Sequence, residues 1–383
     1  MEKPKIRFLK NKHSWVRNTF EEIAKRRTKS SDNPDLPRIE YQDIISGEGR
    51  LNKDLNKNID SRKGIFFETN DILYGKLRPY LKNWLHPNFN GIALGDFWVF
   101  QARNCDSKFL FSLVQSPKFQ RVANDTSGTK MPRSDWKTVS QTEFSIPTSN
   151  EEQSAIGSLF CTLDDLLASY KDNLANYQSL KATMLSKMFP KAGQTVPEIR
   201  LDGFEDGWEE KEFSKLVKRV TQSSDSNSLP KVEFEDIISG QGRLNKDISN
   251  KFDNRKGIHF EPGYTLYGKL RPYLNNWLLP KFEGVALGDF WVFDPNGNDS
   301  NFIYYLVQSS RYQKVANDTS GTKMPRSDWK SVSSTVFAIP QTIAEQQAIG
   351  AYFSNLDNLI ASHQEKISQL ETLKKKLLQD MFI

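Results

Sequence analysis

The chain has few cysteines for its 383 residues, and it has no long hydrophobic run. Two cysteines, Cys105 and Cys161, are too few for a disulfide framework, so we interpret both as ordinary reduced thiols. No segment approaches the roughly 20 consecutive apolar residues of a membrane-spanning helix, and the opening MEKPKIRFLKNK lacks the apolar stretch of a signal peptide. We therefore expect a cytoplasmic protein without a membrane partner.

Motifs for nucleotide or metal chemistry are also absent from the sequence. No G-x-G-x-x-G follows a predicted strand, and SGTKM at Ser127 is not a P-loop, because Pro132 stands where a P-loop leads into a helix. The four histidines form no cluster with metal-ligand spacing. The sequence therefore predicts a chain that is not an enzyme, with no catalytic residue, no metal site and no cofactor of its own.

What the sequence does contain is a long internal repeat. The segment VANDTSGTKMPRSDW at residues 122–136 returns unchanged at 315–329, an offset of 193 residues. The same offset relates Pro147 to Pro340, and no insertion or deletion separates the two copies. A repeat of this length indicates a tandem duplication. We expect the chain to act at two related places.

The first part of each copy has a sequence that favours both strands and helices. Residues 39–147 contain short β-branched and aromatic runs, punctuated by Gly, Pro and Asn, which are typical of strands. One exception is the segment 108–122, with its counterpart 301–315, whose apolar residues have helical spacing. The sequence therefore predicts an α+β fold in which helices pack on a sheet.

After Pro147 the apolar residues change to heptad spacing, and the second copy repeats this pattern. Each such segment predicts a helix of about 40 residues, or about 60 Å. We expect the two helices to pair as an antiparallel coiled coil that joins two pseudo-twofold-related domains; the alternative is that each helix packs only on its own domain. The predicted limits are 1–148 and 191–341 for the domains, and 149–190 and 342–383 for the helices.

Net charge gives a first indication of the partner. Lys and Arg number 53 against 47 Asp and Glu, a formal charge of +6, which favours a polyanion. Lys and Arg neutralise phosphates, while Arg and Asn also read guanine and adenine in the major groove. A solvated surface charge or a loop-stabilising hydrogen bond remains the alternative for any single residue.

The recurring polar residues in predicted loops are therefore the candidate DNA contacts. In the first copy they are Arg50, Asn52, Lys53, Arg62, Lys63, Lys76, Arg78, Thr126, Ser127, Thr129, Lys130 and Arg133. In the second copy they are Arg243, Asn245, Lys246, Arg255, Lys256, Lys269, Arg271, Thr319, Ser320, Thr322, Lys323 and Arg326. Tyr74, Tyr80 and Trp84 have the chemistry to stack on bases, although core packing is the favoured interpretation of all three.

Three local signatures carry a resemblance to a known family. They are DILYGKLRPYL at Asp71, SGTKMPR at Ser127 and FSIPTSNEEQSAIG at Phe144, and the second copy repeats them with LYGKLRPYL, SGTKMPR and FAIPQTIAEQQAIG. Over its whole length the chain resembles the DNA-specificity subunit of type I restriction-modification enzymes. The most specific signature is the Ile-Pro strand end followed by Glu-Gln-x-Ala-Ile-Gly.

This resemblance implies two target-recognition domains separated by a coiled-coil spacer, and no catalysis by the chain itself. It implies double-stranded DNA as the ligand and two adenine-N6 methyltransferase subunits, which use S-adenosylmethionine, as partners. It also implies restriction subunits that depend on ATP and magnesium. Recognition domains in this family usually differ strongly from each other, whereas here the longest identical runs lie inside them. We therefore expect both domains to read the same half-site, which makes the target an interrupted palindrome.

Other functions remain open at this level. The main alternative is a stand-alone DNA-binding or architectural protein without modification partners. An independent nuclease or methyltransferase lacks candidate residues, and a purely structural coiled-coil scaffold leaves the recurring basic loops unexplained.

Overall fold

The chain forms two compact units, each with segments of both long helices. The computed structural model describes residues 4–8, 14–52, 55, 61–125, 130–249, 251, 253–319 and 323–382. Unit 1 comprises Met1–Asp172 and Gln364–Ile383, and unit 2 comprises Asn173–His363. The domain limits predicted from the sequence remain predictions. Within the described residues, no helix is both long enough and apolar enough to cross a bilayer.

The first copy is mixed α and β, as predicted. Its strands are β1 (Trp15–Thr19), β2 (Ala24–Arg26), β3 (Ser30–Ser31), β4 (Arg38–Ile39), β5 (Ile44–Ile45), β6 (Arg50–Leu51), β7 (Gly64–Phe67), β8 (Ile72–Gly75), β9 (Trp84–Leu85), β10 (Gly91–Ala93), β11 (Phe97–Ala102) and β12 (Glu143–Pro147). Its helices are α1 (Phe20–Ile23), α2 (Ser107–Gln115), α3 (Pro117–Ala123), α4 (Trp136–Gln141) and α5 (Asn150–Lys187). Short 3₁₀ turns occupy Tyr41–Asp43 and Pro79–Leu81.

Two four-stranded sheets form the body of this copy. Their strand orders are β3-β7-β10-β4 and β2-β11-β8-β9, and β1 pairs with β12 in a separate antiparallel ribbon. In the second sheet, Tyr74 of β8 pairs with Trp98 of β11, and both side chains are buried. The strand runs predicted from the sequence are therefore present, but they are divided between sheets.

The helical segment predicted at 108–122 is two helices. Pro117 opens α3, and Ser116 caps it by accepting a hydrogen bond from the amide of Phe119. Proline lacks the amide that a continuing helix needs, so it ends α2 and begins α3. Phe119 is fully buried and meets Phe20 at a ring distance of 5.1 Å. Burial of an aromatic side chain of this size contributes about 1.5–3 kcal/mol.

The second copy repeats this order of elements. Its strands are β13 (Trp208–Glu212), β14 (Lys218–Val220), β15 (Ser223–Ser224), β16 (Lys231–Val232), β17 (Ile237–Ile238), β18 (Arg243–Leu244), β19 (Gly257–Phe260), β20 (Thr265–Gly268), β21 (Trp277–Leu278), β22 (Gly284–Ala286), β23 (Phe290–Asp294) and β24 (Val336–Pro340). Its helices are α6 (Phe213–Leu216), α7 (Ser300–Leu306), α8 (Ser310–Ala316), α9 (Trp329–Ser334) and α10 (Ile343–Met381). The 3₁₀ turns here are Phe234–Asp236 and Pro272–Leu274.

The long helices α5 and α10 contain 38 and 39 residues, close to the predicted length. In unit 1, Phe160 of α5 meets Phe382, just beyond α10, at a ring distance of 5.8 Å, and Lys171 of α5 pairs with Glu371 at 2.8 Å. Later residues of α5 thus meet earlier residues of α10, so the two segments are antiparallel.

Unit 2 shows the same order independently, because Tyr177 meets His363 at 5.1 Å and Phe189 meets Phe353 at 6.0 Å. The alternative that each helix packs only on its own domain is therefore wrong.

Four leucines of the predicted heptad stripe are not covered by these contacts. Their exposed fractions are 43% for Leu166, 39% for Leu180, 41% for Leu359 and 45% for Leu373. The apolar stripe is thus wider than the surface that the partner helix and the domain bury.

The Glu-Gln-x-Ala-Ile-Gly signature attaches α5 to its domain. The side chain of Gln153 accepts a hydrogen bond from the Asp106 amide at 2.8 Å and donates one to the Pro147 carbonyl at 2.8 Å. Ile156 is buried, and a Cβ at Gly157 would lie 2.5 Å from the backbone nitrogen of Phe109. Glycine is needed here because the first turn of α2 lies directly against α5.

We expect Gly157→Ala to destabilise unit 1 by about 1–3 kcal/mol, because the new methyl group overpacks against backbone that has no rotamer to change. Thermal or urea unfolding measures this loss. Ser154→Ala, three residues earlier on an exposed position of the same helix, is the control and should change stability little. Equal unfolding midpoints for the two variants would contradict the close packing of α5 on α2.

Candidate nucleic-acid interface

Two basic motifs that are far apart in sequence meet in each unit. In unit 1 the Arg78 amide donates to the Pro132 carbonyl at 2.7 Å, and the Ser134 amide donates to the Lys76 carbonyl at 2.9 Å. These bonds flank an antiparallel bridge between Leu77 and Arg133. The GKLR and KMPR sequences therefore form one surface.

A third segment completes this surface. The Gly47 amide donates to the Lys82 carbonyl at 3.0 Å, and the Ser46 hydroxyl donates to the Leu81 carbonyl. We call residues 46–50, 76–82 and 130–133 tip 1. The counterparts 239–243, 269–275 and 323–326 make the same backbone bonds in unit 2, and we call them tip 2.

One carboxylate orients two cations in each tip. Asp96 lies 3.6 Å from the Lys76 amine and 3.1 Å from the Arg133 guanidinium. In unit 2 the matching distances from Asp289 are 3.7 Å to Lys269 and 3.0 Å to Arg326. The hydrogen bond that Arg326 donates to Asp289 raises the pKa of Arg326. These four predicted DNA contacts are therefore held in place by an internal partner.

Several other predicted contacts are also ion-paired. Arg50 donates to Glu48 at 2.7 Å and to Asp172 at 2.8 Å. Burial lowers the pKa of Arg50, but the hydrogen bonds to Asp172 and Glu48 outweigh it, so the net shift is upward. The remaining pairs are Arg62 with Glu40, Lys246 with Asp236, and Arg255 with Asp253 and Glu233.

The two predicted asparagines stabilise loops through their side-chain amides. Asn52 donates to the Gln42 carbonyl, and Asn245 donates to the Glu235 carbonyl. In each case the side chain fastens its loop to the 3₁₀ turn that precedes it. These amides face the protein backbone, which is the loop-stabilising alternative considered for such residues.

A smaller set of predicted contacts is exposed and has no ion-pair partner among the described residues. This set contains Lys63, Arg78, Lys130, Arg243, Lys256, Arg271 and Lys323. Thr319 is half-buried, with its hydroxyl 3.4 Å from the Asn317 carbonyl. The predicted residues Lys53, Thr126, Ser127, Thr129, Ser320 and Thr322 lie outside the described residues. The exposed and unpaired members of the predicted set thus lie in the tips and beside β7 and β19.

One residue that differs between the copies lies directly beneath the tip. The Tyr41 hydroxyl donates to the Asp96 carbonyl at 2.6 Å and accepts from the Leu77 amide at 3.2 Å. Burial is the main cause that raises the pKa of Tyr41 to about 12, so this phenol stays protonated. Its counterpart is Phe234, which keeps the ring packing but cannot make either bond. The Leu77 loop is therefore anchored by one more side chain than its counterpart.

Asp96 and Asp289 recur in GDFW, which the sequence favours as a buried strand with a turn, so neither was among the predicted contacts. The three aromatic candidates had one common interpretation. Tyr74 and Trp84 are 1% and 4% exposed, as the core interpretation predicted, but Tyr80 is 57% exposed. The recurrence of Asp in GDFW beside two basic loops was the only available signal for the carboxylate. No sequence signal separated Tyr80 from the two buried rings.

The chemistry of the tips is that of binding. Among the described residues, no group of three or more His, Cys, Asp or Glu side chains is placed to hold a metal ion. Both cysteines are partly buried, and burial raises the pKa of the Cys105 thiol to about 12, so it is not a thiolate at neutral pH. The tips instead present fixed cations and an exposed aromatic ring.

Comparison with known proteins finds relatives among type I restriction enzymes. The model of the type I restriction modification DNA specificity domain matches residues 215–372. The MjaVIII specificity subunit of a type I restriction enzyme, from Methanocaldococcus jannaschii, is 21% identical over 71% of this chain and 68% of its own length. Residues 215–372 therefore match the specificity domain of type I restriction-modification systems, and the chain is similar to type I specificity subunits. The EcoDI specificity subunit from Escherichia coli is 26% identical over 47% of this chain and 42% of its own length.

Solved structures support the fold of this chain. The S subunit of a type I restriction-modification system from M. genitalium has a TM-score of 0.64, with 13% identity, and the match covers 100% of this chain and 99% of that one. A chain from a study of complex assembly in a type I restriction-modification system has a TM-score of 0.51, with 17% identity, over 95% and 96%. The α+β architecture with long helices is therefore shared.

Proposed function

We propose that this specificity subunit binds double-stranded DNA at a bipartite sequence and uses one tip for each half-site. The observation that carries the proposal is the near identity of the two tips. They differ only at Glu48 against Gln241 and at Lys82 against Asn275. Both expose an arginine and a lysine on loops that backbone hydrogen bonds fix in place. Cations fixed on ordered loops suit contacts with DNA phosphates.

The chain acts in this proposal without catalysis of its own. It directs adenine-N6 methylation by two methyltransferase subunits, which bind S-adenosylmethionine, and cleavage by restriction subunits that use ATP and magnesium. The proposal is supported by the relatives, which are named as specificity subunits of restriction enzymes.

The target in this proposal is an interrupted palindrome. Two nearly identical tips recognise the same bases. Because they bind the duplex in opposite directions in this proposal, they select a half-site and its reverse complement. The spacer between the half-sites is then unspecified in sequence. The copies differ at Glu48 against Gln241 and at His86 against Leu279, and we expect such differences to relax one position of a half-site.

Adenine-methylation mapping tests this function. DNA is compared from cells that express this chain with the methyltransferase of its own operon and from cells that lack only this chain. We expect chain-dependent N6-methyladenine on both strands of an interrupted palindrome. An asymmetric bipartite motif would retain the specificity function but refute the shared half-site, and an unchanged methylome would refute the methylation role.

A stand-alone DNA-binding protein is the second candidate, because the exposed cations and long helices suit such a protein equally well. Co-purification distinguishes the two. A specificity subunit brings down a methyltransferase at a ratio of two to one chain, whereas a stand-alone binder retains DNA affinity with no methyltransferase bound. The same tagged chain serves both measurements.

A further inference from the structure

Each tip exposes a tyrosine at its most prominent turn. The exposed fractions are 57% for Tyr80 and 58% for Tyr273, and the methionines of the same tips, Met131 and Met324, are 50% and 48% exposed. A single exposed apolar residue needs no explanation. The same aromatic and methionine pair on two equivalent loops indicates a shared contact.

The turn that carries Tyr80 has an unfavourable backbone at both ends. Arg78 has φ of 48° and Lys82 has φ of 54°, and in tip 2 the values are 49° for Arg271 and 54° for Asn275. Left-handed backbone at a residue other than glycine is strained and persists where the surroundings enforce it. Here the short 3₁₀ turn between these residues presents its middle residue, tyrosine, to solvent.

Hydrogen bonds at both ends hold this turn. The Leu81 amide donates to the Arg78 carbonyl at 2.8 Å, and the Arg78 amide and the Lys82 carbonyl are bonded to the two other segments of the tip. A loop that is already ordered loses little conformational entropy when it binds. Tyr80 is therefore a rigid projection of the tip.

The charges around the ring favour a polyanion as its partner. Arg78 and Lys130 are exposed in the same tip, and the nearby carboxylate of Asp96 is already paired with Lys76 and Arg133. An aromatic ring flanked by unpaired cations matches duplex DNA, in which base faces lie between phosphates. An acidic protein surface would satisfy the cations but offers no stacked rings for the tyrosine.

We propose that Tyr80 and Tyr273 act as wedges, each partly inserted at one base step of its half-site, with Met131 and Met324 packed against the opened step. The proposal rests on the proposed DNA-recognition function. A wedge of this kind unstacks a base pair step locally and adds contact area that does not depend on salt. In this proposal the exposed rings of Tyr80 and Tyr273 contribute to site recognition through the bases, whereas the cations contact the phosphates.

Fluorescence of 2-aminopurine tests the wedge directly. The probe replaces one purine at a time in a duplex that carries the methylated motif, and the chain is added together with its methyltransferase subunits. We expect bright fluorescence at one step in each half-site, because unstacking relieves quenching. Tyr80→Ala should remove the signal in one half-site and leave the signal of the Tyr273 half-site unchanged.

Affinity provides an independent readout. We expect Tyr80→Ala to weaken binding roughly 5- to 150-fold, the range that corresponds to loss of one base-stacking contact, without changing the slope of affinity against salt. Tyr80→Phe keeps the ring and should retain both the fluorescence signal and the affinity. Both substitutions are at an exposed position, and matching thermal unfolding will show that the variants are folded.

The possible outcomes distinguish failure of the wedge proposal from failure of the proposed DNA-recognition function. Specific binding of the motif with no bright position, and with full affinity for Tyr80→Ala, would overturn the wedge alone. Lack of wild-type binding to the mapped motif would overturn the DNA-recognition function. Loss of methyltransferase co-purification in Tyr80→Ala would assign the ring to a protein interface and also overturn the wedge.

Discussion

Simultaneous replacement of Arg78, Lys130, Arg271 and Lys323 by alanine is expected to weaken DNA binding on the order of 10²- to 10⁴-fold at physiological salt. These four cations are exposed at the tips and have no ion-pair partner among the described residues. Each phosphate contact releases about 0.9 counterion, so the slope of log affinity against log salt should fall by about 3 to 4.

The matched control removes the same charge elsewhere in both copies. Lys25, Lys137, Lys218 and Lys330 are exposed counterpart pairs outside the tips, and their quadruple alanine variant should retain nearly all of the affinity. Titration of a fluorescent duplex at several salt concentrations measures both quantities. Equal losses in the two quadruple variants would mean that binding follows net charge alone, and the tips would then have no special role.

Substitution of Glu152 by glutamine is expected to destabilise unit 1 by about 2–4 kcal/mol, because it removes the charge of the buried member of an ion pair. The Glu152 side chain is fully buried and accepts two bonds from Arg7, at 2.6 and 2.7 Å, and one from the Trp15 indole at 3.2 Å. The hydrogen bond to Glu152 raises the pKa of Arg7. Arg7 is partly exposed, which places the expected loss below that of a fully buried pair.

Unit 2 offers an internal repeat of this experiment. Glu345 is 1% exposed and holds Arg200 at 2.7 and 2.8 Å and the Trp208 indole at 3.0 Å. Hydrogen exchange resolved by peptide should show faster exchange in unit 1 for Glu152→Gln and in unit 2 for Glu345→Gln. Glu151→Gln, an exposed neighbour, is the control. Protection that is unchanged in both units would show that the pair is not needed for stability.

Both copies attach the long helix to the domain through the same side-chain interactions. These interactions explain why the two copies share the residues that make them. PKIRF and PEIRL supply the arginine, Trp15 and Trp208 supply the indole, and the glutamates of EEQSAIG and AEQQAIG receive both. The glycine that ends each signature permits close approach to α2 or α7. A motif recognised by resemblance thus has a physical reason at each position.

The sequence by itself determined the duplication, the α+β class and the two long helices. These follow from local pattern, since spacing of apolar residues reports helix or strand wherever a segment buries one face. It also identified the basic loops. It did not determine that α2 and α3 are separate, although Ser116 and Pro117 supply the chemistry that ends one helix and begins the next.

Only the tertiary structure decided which cations are internally paired and which aromatic ring is exposed. Asp96 lies 20 residues after Lys76 and 37 before Arg133 in sequence, yet it binds both. Tyr74 and Tyr80 are six residues apart, but one lies in a central strand and the other on a strained turn. Ion pairing and burial depend on partners brought together through space, and local residue patterns carry no record of those partners.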